Sequence, residues 1–280
     1  MRELSTGPDS TGPDPAGPAQ VPLIEACVSS ASEAVAAARA GVHRLELCSA
    51  LELGGLTPSR GTLQTVLAHV SLPVVVMIRP RAGGFCYDTL ELETMRRDAT
   101  ELLAAGASGI VFGCLTSAGD VDLQSSETLV QVAQQFHAQS PAAERAAIFH
   151  RAFDFVRQPL AALEQLIDIG VQRVLSSGGK ATAMEGVDTL AALQRAARGR
   201  IEILPGGGIR ADNLLELLRR SGCAAAHVGA SLPITDGSLD HLPNLNLCDT
   251  RCLAEHRYRQ LDAAAVTAVT TVAKEWQTSP

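Results

Sequence analysis

From Val21 onward, short apolar runs alternate with helix-length stretches, and the alternation recurs eight times. The runs are residues 23–28, 44–48, 74–79, 109–114, 146–150, 173–176, 201–204 and 225–230. Helical patterns follow at 30–40, 59–69, 90–105, 126–139, 158–169, 184–197 and 212–220, and Leu261, Ala265, Val269, Val272 and Trp276 form a closing apolar stripe. Glycines 41, 106, 170 and 222 each end a helix before the next strand, the usual place for a residue that tolerates a left-handed backbone. Eight such units in 280 residues close most simply into a (β/α)8 TIM barrel, a single α/β domain. An open doubly wound sheet is the rival. It calls for a glycine fingerprint in the first β–α turn, and Val28-Ser29-Ser30 has none.

Residues 1–20 fall outside this pattern. They are rich in Pro, Gly, Ser, Thr and Asp, repeat Thr-Gly-Pro-Asp at 6–9 and 11–14, and lack the basic and apolar regions of a signal peptide. The expectation is a disordered tail before a barrel domain at 21–280, with an irregular segment at about 232–255 before the last helix. Aromatic residues make up only 3% of the chain, so Ala, Val, Leu and Ile must fill the core. A formal charge of −7 without a basic stripe argues against nucleic acid as a partner. No apolar run reaches the roughly 18–20 residues of a membrane span. Seven cysteines, an odd number without CxxC pairing, read as reduced thiols of a cytoplasmic protein.

Polar residues at the carboxyl ends of barrel strands form the functional face. The first two strands end alike, in Glu25-Ala26-Cys27 and Glu46-Leu47-Cys48. Ile24, Ala26 and Val28 share one face of the first, and Leu45 and Leu47 one face of the second. Strand alternation therefore turns Glu25, Cys27, Glu46 and Cys48 inward. Buried carboxylates need cations or protons, and the expected cation is Arg79 at the end of the third strand. His150, followed by Arg151 and Asp154, extends the set from the fifth strand. An imidazole among carboxylates suits acid–base chemistry near neutral pH. The alternatives are a buried ion network that only satisfies the barrel mouth, and an Arg151–Asp154 pair that only shapes a turn.

Glycine-rich turns give a second signal. Ser176-Ser177-Gly178-Gly179 follows the sixth strand, Pro205-Gly206-Gly207-Gly208 the seventh, and Gly229-Ala230-Ser231 the eighth. Glycines leading into a helix let backbone N–H groups face an anion, and the loops after strands 7 and 8 are the barrel's frequent phosphate site. Ser177, Gly178, Gly206, Gly207, Gly208 and Ser231 are the candidate anion-binding residues. Cys27 and Cys48 occupy matching strand ends. Two soft thiolates suit Cu(I), and the set is poor for zinc, which wants more N/S ligands. Buried cysteines are otherwise small hydrophobes.

These residues resemble the CutC family. The match runs through Glu25-Ala26-Cys27-Val28, Arg44-Leu45-Glu46-Leu47-Cys48, Gly54-Gly55-Leu56-Thr57-Pro58-Ser59 and Met77-Ile78-Arg79-Pro80-Arg81. It continues through Phe112-Gly113-Cys114-Leu115-Thr116, Phe149-His150-Arg151-Ala152-Phe153-Asp154, Leu175-Ser176-Ser177-Gly178-Gly179 and Leu204-Pro205-Gly206-Gly207-Gly208-Ile209. The resemblance implies a cytoplasmic TIM barrel labelled a copper homeostasis protein, a homo-oligomer (dimer or tetramer), with Cys27 and Cys48 as candidate Cu(I) ligands. Two positions depart from the family pattern: Ala82-Gly83-Gly84 stands where Gly-Gly-Asp is usual, and Ser176 where threonine is common.

Two functions follow from the sequence. One is Cu(I) binding through Cys27 and Cys48. The other is an enzyme acting on a small anionic or phosphorylated metabolite, with Glu25, Glu46, Arg79, His150 and Asp154 as catalytic candidates. An interaction scaffold with a vestigial mouth is the blander third.

Overall fold

The strands pair because their alternating faces have two different places to go. In the computed structural model, which describes residues 21–139, 146–239, 241 and 257–276, all eight predicted strands form. They are β1 Leu23–Val28, β2 Arg44–Leu47, β3 Val74–Met77, β4 Gly109–Phe112, β5 Ala146–Phe149, β6 Arg173–Ser176, β7 Glu202–Pro205 and β8 Ala225–Val228. They run parallel in the order β7-β6-β5-β4-β3-β2-β1-β8, and a parallel bridge between Gly206 and His227 joins β7 to β8. The helices between them are α1 Ala31–Arg39, α2 Arg60–His69, α3 Thr89–Ala104, α4 Leu123–Gln139, α5 Pro159–Asp168, α6 Val187–Ala197 and α7 Leu214–Ser221. The last, α8 Ala263–Glu275, follows the final strand. This is the TIM barrel expected from the alternation.

Ile24, Ala26, Val28, Leu45, Leu47, Val74, Val76 and Ile78 are all fully buried between the strands and the helix ring. Burying one such aliphatic side chain stabilises by about 1.5–3 kcal/mol. A one-residue slip of β1 would push Glu25 and Cys27 into that layer, so register is strongly specified. Helix starts follow local chemistry. Ser30 accepts from the Glu33 N–H, Ser59 from that of Thr62, and Asp88 with Glu91 forms a capping box. Gly222 closes α7 at φ 72°.

The structure corrects two readings at the edges. Several predicted strands end early: Cys48, Arg79, Cys114 and His150 lie just past the regular ladder, where their backbones serve the loops. Arg79, for instance, exchanges bonds with Thr57, its N–H donating to Thr57 Oγ1 and its carbonyl accepting from the Thr57 N–H. The segment predicted as irregular begins as a strand, β9 Ser231–Thr235, paired antiparallel with β10 Arg257–Leu261. The Leu261 N–H donates to Glu33 Oε1 at 2.7 Å, which ties this ribbon to α1. The predicted tail 1–20 and the segment holding Cys248 and Cys252 lie outside the described residues.

Candidate metal centre

The site grows from the barrel floor. The β1–β2 register sets Glu25 opposite Arg44 and Cys27 opposite Glu46, while β1–β8 sets Glu25 opposite His227. Glu25 is 2% exposed and accepts from Arg44 Nε at 2.7 Å, with His227 Nδ1 also 2.7 Å away. Arg44 and Arg173 both reach Glu202 as well as Glu25. His227 thus stands between two carboxylates: Glu25 at Nδ1, and Glu46 Oε2 3.6 Å from Nε2. Above them the sulfurs of Cys27 and Cys48 lie 3.9 Å apart, and Cys48 Sγ is 3.6 Å from Glu46 Oε2. Cys48 is buried, whereas Cys27 is half-buried and borders the open mouth.

These contacts set the charges. Burial opposes ionisation of Glu25, but the hydrogen bond and charge of His227, with Arg44 and Arg173 behind, hold its carboxyl at about 2. Burial also works against the His227 proton, yet Glu46, Cys27 and Glu25 raise its pKa well above the usual 6.5. A hydrogen bond from Cys48 outweighs burial at Cys27 and, with His227, brings that thiol down to about 5. Cys48 is pushed well above 9.0, first by holding its proton toward Cys27 and then by burial. Burial likewise raises Glu46 well above 4.5. These shifts favour a thiolate at Cys27, a carboxylate at Glu25 and a protonated His227, and they favour retention of the proton at Cys48, while burial pushes Glu46 toward its protonated form.

The sequence reading turns Glu25, Cys27, Glu46 and Cys48 inward; the two sulfurs do lie side by side, but Glu25 sits opposite Arg44 rather than Glu46, and the expected cation is elsewhere. Arg79 does not pair with the carboxylates. Its guanidinium donates to the carbonyls of Leu53, Gly55 and Gly83 and lies over Phe85. The charge partners of Glu25 are His227, Arg44 and Arg173, none of which the sequence reading singled out. A signal for them existed. The alternation that turns Glu46 inward also turns Arg44 inward, and in Ala225-Ala226-His227-Val228 it leaves the histidine facing the interior.

His150 sits across the mouth. Its Nδ1 accepts from the Ala152 N–H at 3.1 Å, and its ring packs on Phe85 and against Gly113, which has no room for a Cβ. Burial and the nearby Arg79 charge lower its pKa to about 3, so the ring is neutral near pH 7. That departs from the acid–base range expected for it. Asp154 is fully used in the β6 turn: it accepts from Ser176 Oγ, from the Ser177 and Gly179 N–H groups, and from Arg151 Nε. Gly178 packs tightly on Gly186, the residue that opens α6. Gly207, Gly208 and Ser231 line a second cavity of about 810 Å³, which Arg151 and Cys27 also border.

The donor set tests well for a soft monovalent metal. Cys27 and Cys48, whose sulfurs lie 3.9 Å apart, would be the residues to hold such an ion. One sulfur already carries thiolate character, and Glu46 offers an oxygen to the same space.

Fold and site together define a TIM barrel with a buried dithiol–imidazole–carboxylate centre at its C-terminal mouth. A profile described as the CutC family matches residues 22–232. The human copper homeostasis protein cutC homolog is 39% identical over 252 residues, covering 90% of this chain and 89% of the human protein. A CutC family protein of Treponema denticola is 45% identical, covering 74% of this chain and 80% of its own length. A crystal structure of CutC from Streptococcus agalactiae superposes with a TM-score of 0.67 at 31% identity, over 74% of this chain and 97% of that one. The chain belongs to the CutC family.

Proposed function

We propose that the protein acts in copper homeostasis by binding Cu(I) through Cys27 and Cys48. The observation that carries this is the pair of sulfurs 3.9 Å apart at adjacent strand ends, one buried and one facing the mouth. Soft thiolates select Cu(I) over harder ions, and a thiol already brought to about 5 needs little further deprotonation to ligate at neutral pH. Glu46 stands by as a third donor, and His227 neutralises the charge that two thiolates would concentrate. A reducing cytoplasm fits this chemistry, since it keeps both thiols free. No helix among the described residues is long and apolar enough to cross a membrane. The family resemblance adds a homo-oligomer to this reading, which light scattering on the purified chain would measure.

Anaerobic titration with Cu(I) against a chromogenic chelator tests the proposal. Stoichiometric binding is expected in the wild type, with loss in Cys27→Ser/Cys48→Ser. Equal affinity in the double variant would sink it.

A further inference from the structure

Copper ligation uses the β1, β2 and β8 side of the mouth and leaves the rest of it unexplained. Two adjoining cavities, of about 380 and 810 Å³, meet there and share Cys27, Arg151 and His227. Both volumes fall in the range of roughly 300–1,000 Å³ typical of small-molecule sites. The smaller is bordered by His150 and Arg79, which are 4% and 5% exposed. Because His150 Nδ1 accepts a backbone N–H, the neutral ring carries its proton on Nε2. That N–H finds no acceptor among the described residues, and neither does Arg79 Nε. A buried donor left unmatched costs about 1–3 kcal/mol. Two of them beside one cavity point to a ligand rich in acceptor oxygens.

The larger cavity supplies the complementary charge. Arg151, Arg210 and Arg259 line it, each from a different element. Arg151 is oriented by Asp154 and Ser177, and Arg259 donates to Ser231 Oγ at 2.8 Å, so both guanidinium groups are held in place. Gly207 and Gly208 adopt φ of 107° and 68°, which a side chain would strain, and turn the backbone along the same wall. The N–H groups of Gly208 and Ile209 donate to no acceptor among the described residues. Two carboxylates also border this cavity. Asp262 is committed to the α8 cap, where it accepts from the Ala265 N–H, and Asp212 is exposed. Three arginines and free backbone donors against these two leave the wall suited to an oxyanion.

We infer that the mouth binds a small phosphate monoester, its phosphate held by Arg151, Arg210 and the Gly207–Gly208 turn and its oxygen-bearing body reaching toward His150 and Arg79. The phosphate-binding groups are other than the copper-binding thiols, although Cys27 borders both cavities. No part of it requires a metal, so it stands or falls apart from the copper reading.

Calorimetric titration of the metal-free, reduced full chain tests it, with inorganic phosphate, glycerol phosphate and glycerol as probes. Saturable millimolar or tighter binding is expected for glycerol phosphate, weaker binding for phosphate alone, and none for glycerol. Arg151→Ala and Arg210→Ala should each weaken the ester by at least about tenfold, while Cu(I) affinity stays at the wild-type value. If Arg151→Ala melts early through loss of its Asp154 brace, Arg210→Ala and Arg151→Lys carry the test. Absence of saturable phosphate or ester binding in the wild type would overturn the inference. So would equal ester affinity in the wild type and Arg210→Ala.

Discussion

Across β3, β4 and β5 the barrel is filled by Val75, Met77, Val111, Ala146 and Ile148, whereas the interior positions of β6, β7, β8, β1 and β2 carry Arg173, Glu202, His227, Glu25 and Arg44. The first half is held by dispersion and dehydration; the second carries an ion network beside a small apolar cluster of Leu175, Leu204 and Ala225. The two halves meet at the thiols. Cys48 packs with Val75 and Met77 and touches Glu46, while Cys27 packs at the edge of the same cluster and also meets His227. The same residue type on two matching strands therefore acquires opposite character, a thiolate on the ionic side and a protonated thiol on the apolar one.

The largest expected effect comes from breaking the ionic half. Arg44→Met removes a buried cation that touches both Glu25 and Glu202. Truncating one partner of a buried network costs about 3–5 kcal/mol, and urea unfolding would measure it. In the apolar half Ile148→Val removes one methylene and should cost only about 0.5–1.5 kcal/mol. Equal losses in the two variants would break the comparison.

A second effect is in acid. The Glu25 carboxyl sits near 2 in the fold against an ordinary 4.5, so its contribution is fully present above 4.5. The unfolded chain binds the extra proton first, and stability should fall as pH drops from 4.5 toward 2. Thermal melts across that window should show a shallower fall in Glu25→Gln than in the wild type, even though that variant starts less stable. On the alkaline side the centre partly cancels itself. His227 keeps a proton that the unfolded chain loses above 6.5, and Cys27 lacks one that the unfolded chain retains up to 9.0.

How much of this was legible depended on the kind of information each element carries. Periodicity and helix-ending glycines define the barrel, because alternating burial writes itself directly into the residue order. The inward turn of Glu25, Glu46, Cys27 and Cys48 follows from the same alternation. What the residue order does not carry is stagger. Glu25 meets Arg44 and His227 because β1 lies one inward pair out of step with β2 and because β8 closes on β1, 202 positions away in the chain. Arg79 looked like the partner because it is near in sequence and ends a strand, yet three loop carbonyls claim it first. Asp154 read as an acid–base group for want of knowing that the Ser176-Ser177-Gly178-Gly179 turn folds onto both its oxygens.

The finest test of the comparison is the difference between the two thiols. Because the thiolate is the form that reacts, peptide-resolved alkylation of the native chain should modify Cys27 well before Cys48, with a rate midpoint near pH 5 for Cys27. Exposure alone would also favour Cys27, so ranking the two rates does not isolate the electrostatic cause. His227→Asn does. The imidazolium beside Cys27 is lost, so the Cys27 midpoint should move up toward the ordinary 9.0. The exposed Cys86, which lies outside the network, controls for reagent reactivity in both proteins. A Cys27 midpoint unmoved by His227→Asn would mean that the Cys48 hydrogen bond alone holds the thiolate. The ionic half would then end at Glu25 rather than at the sulfur.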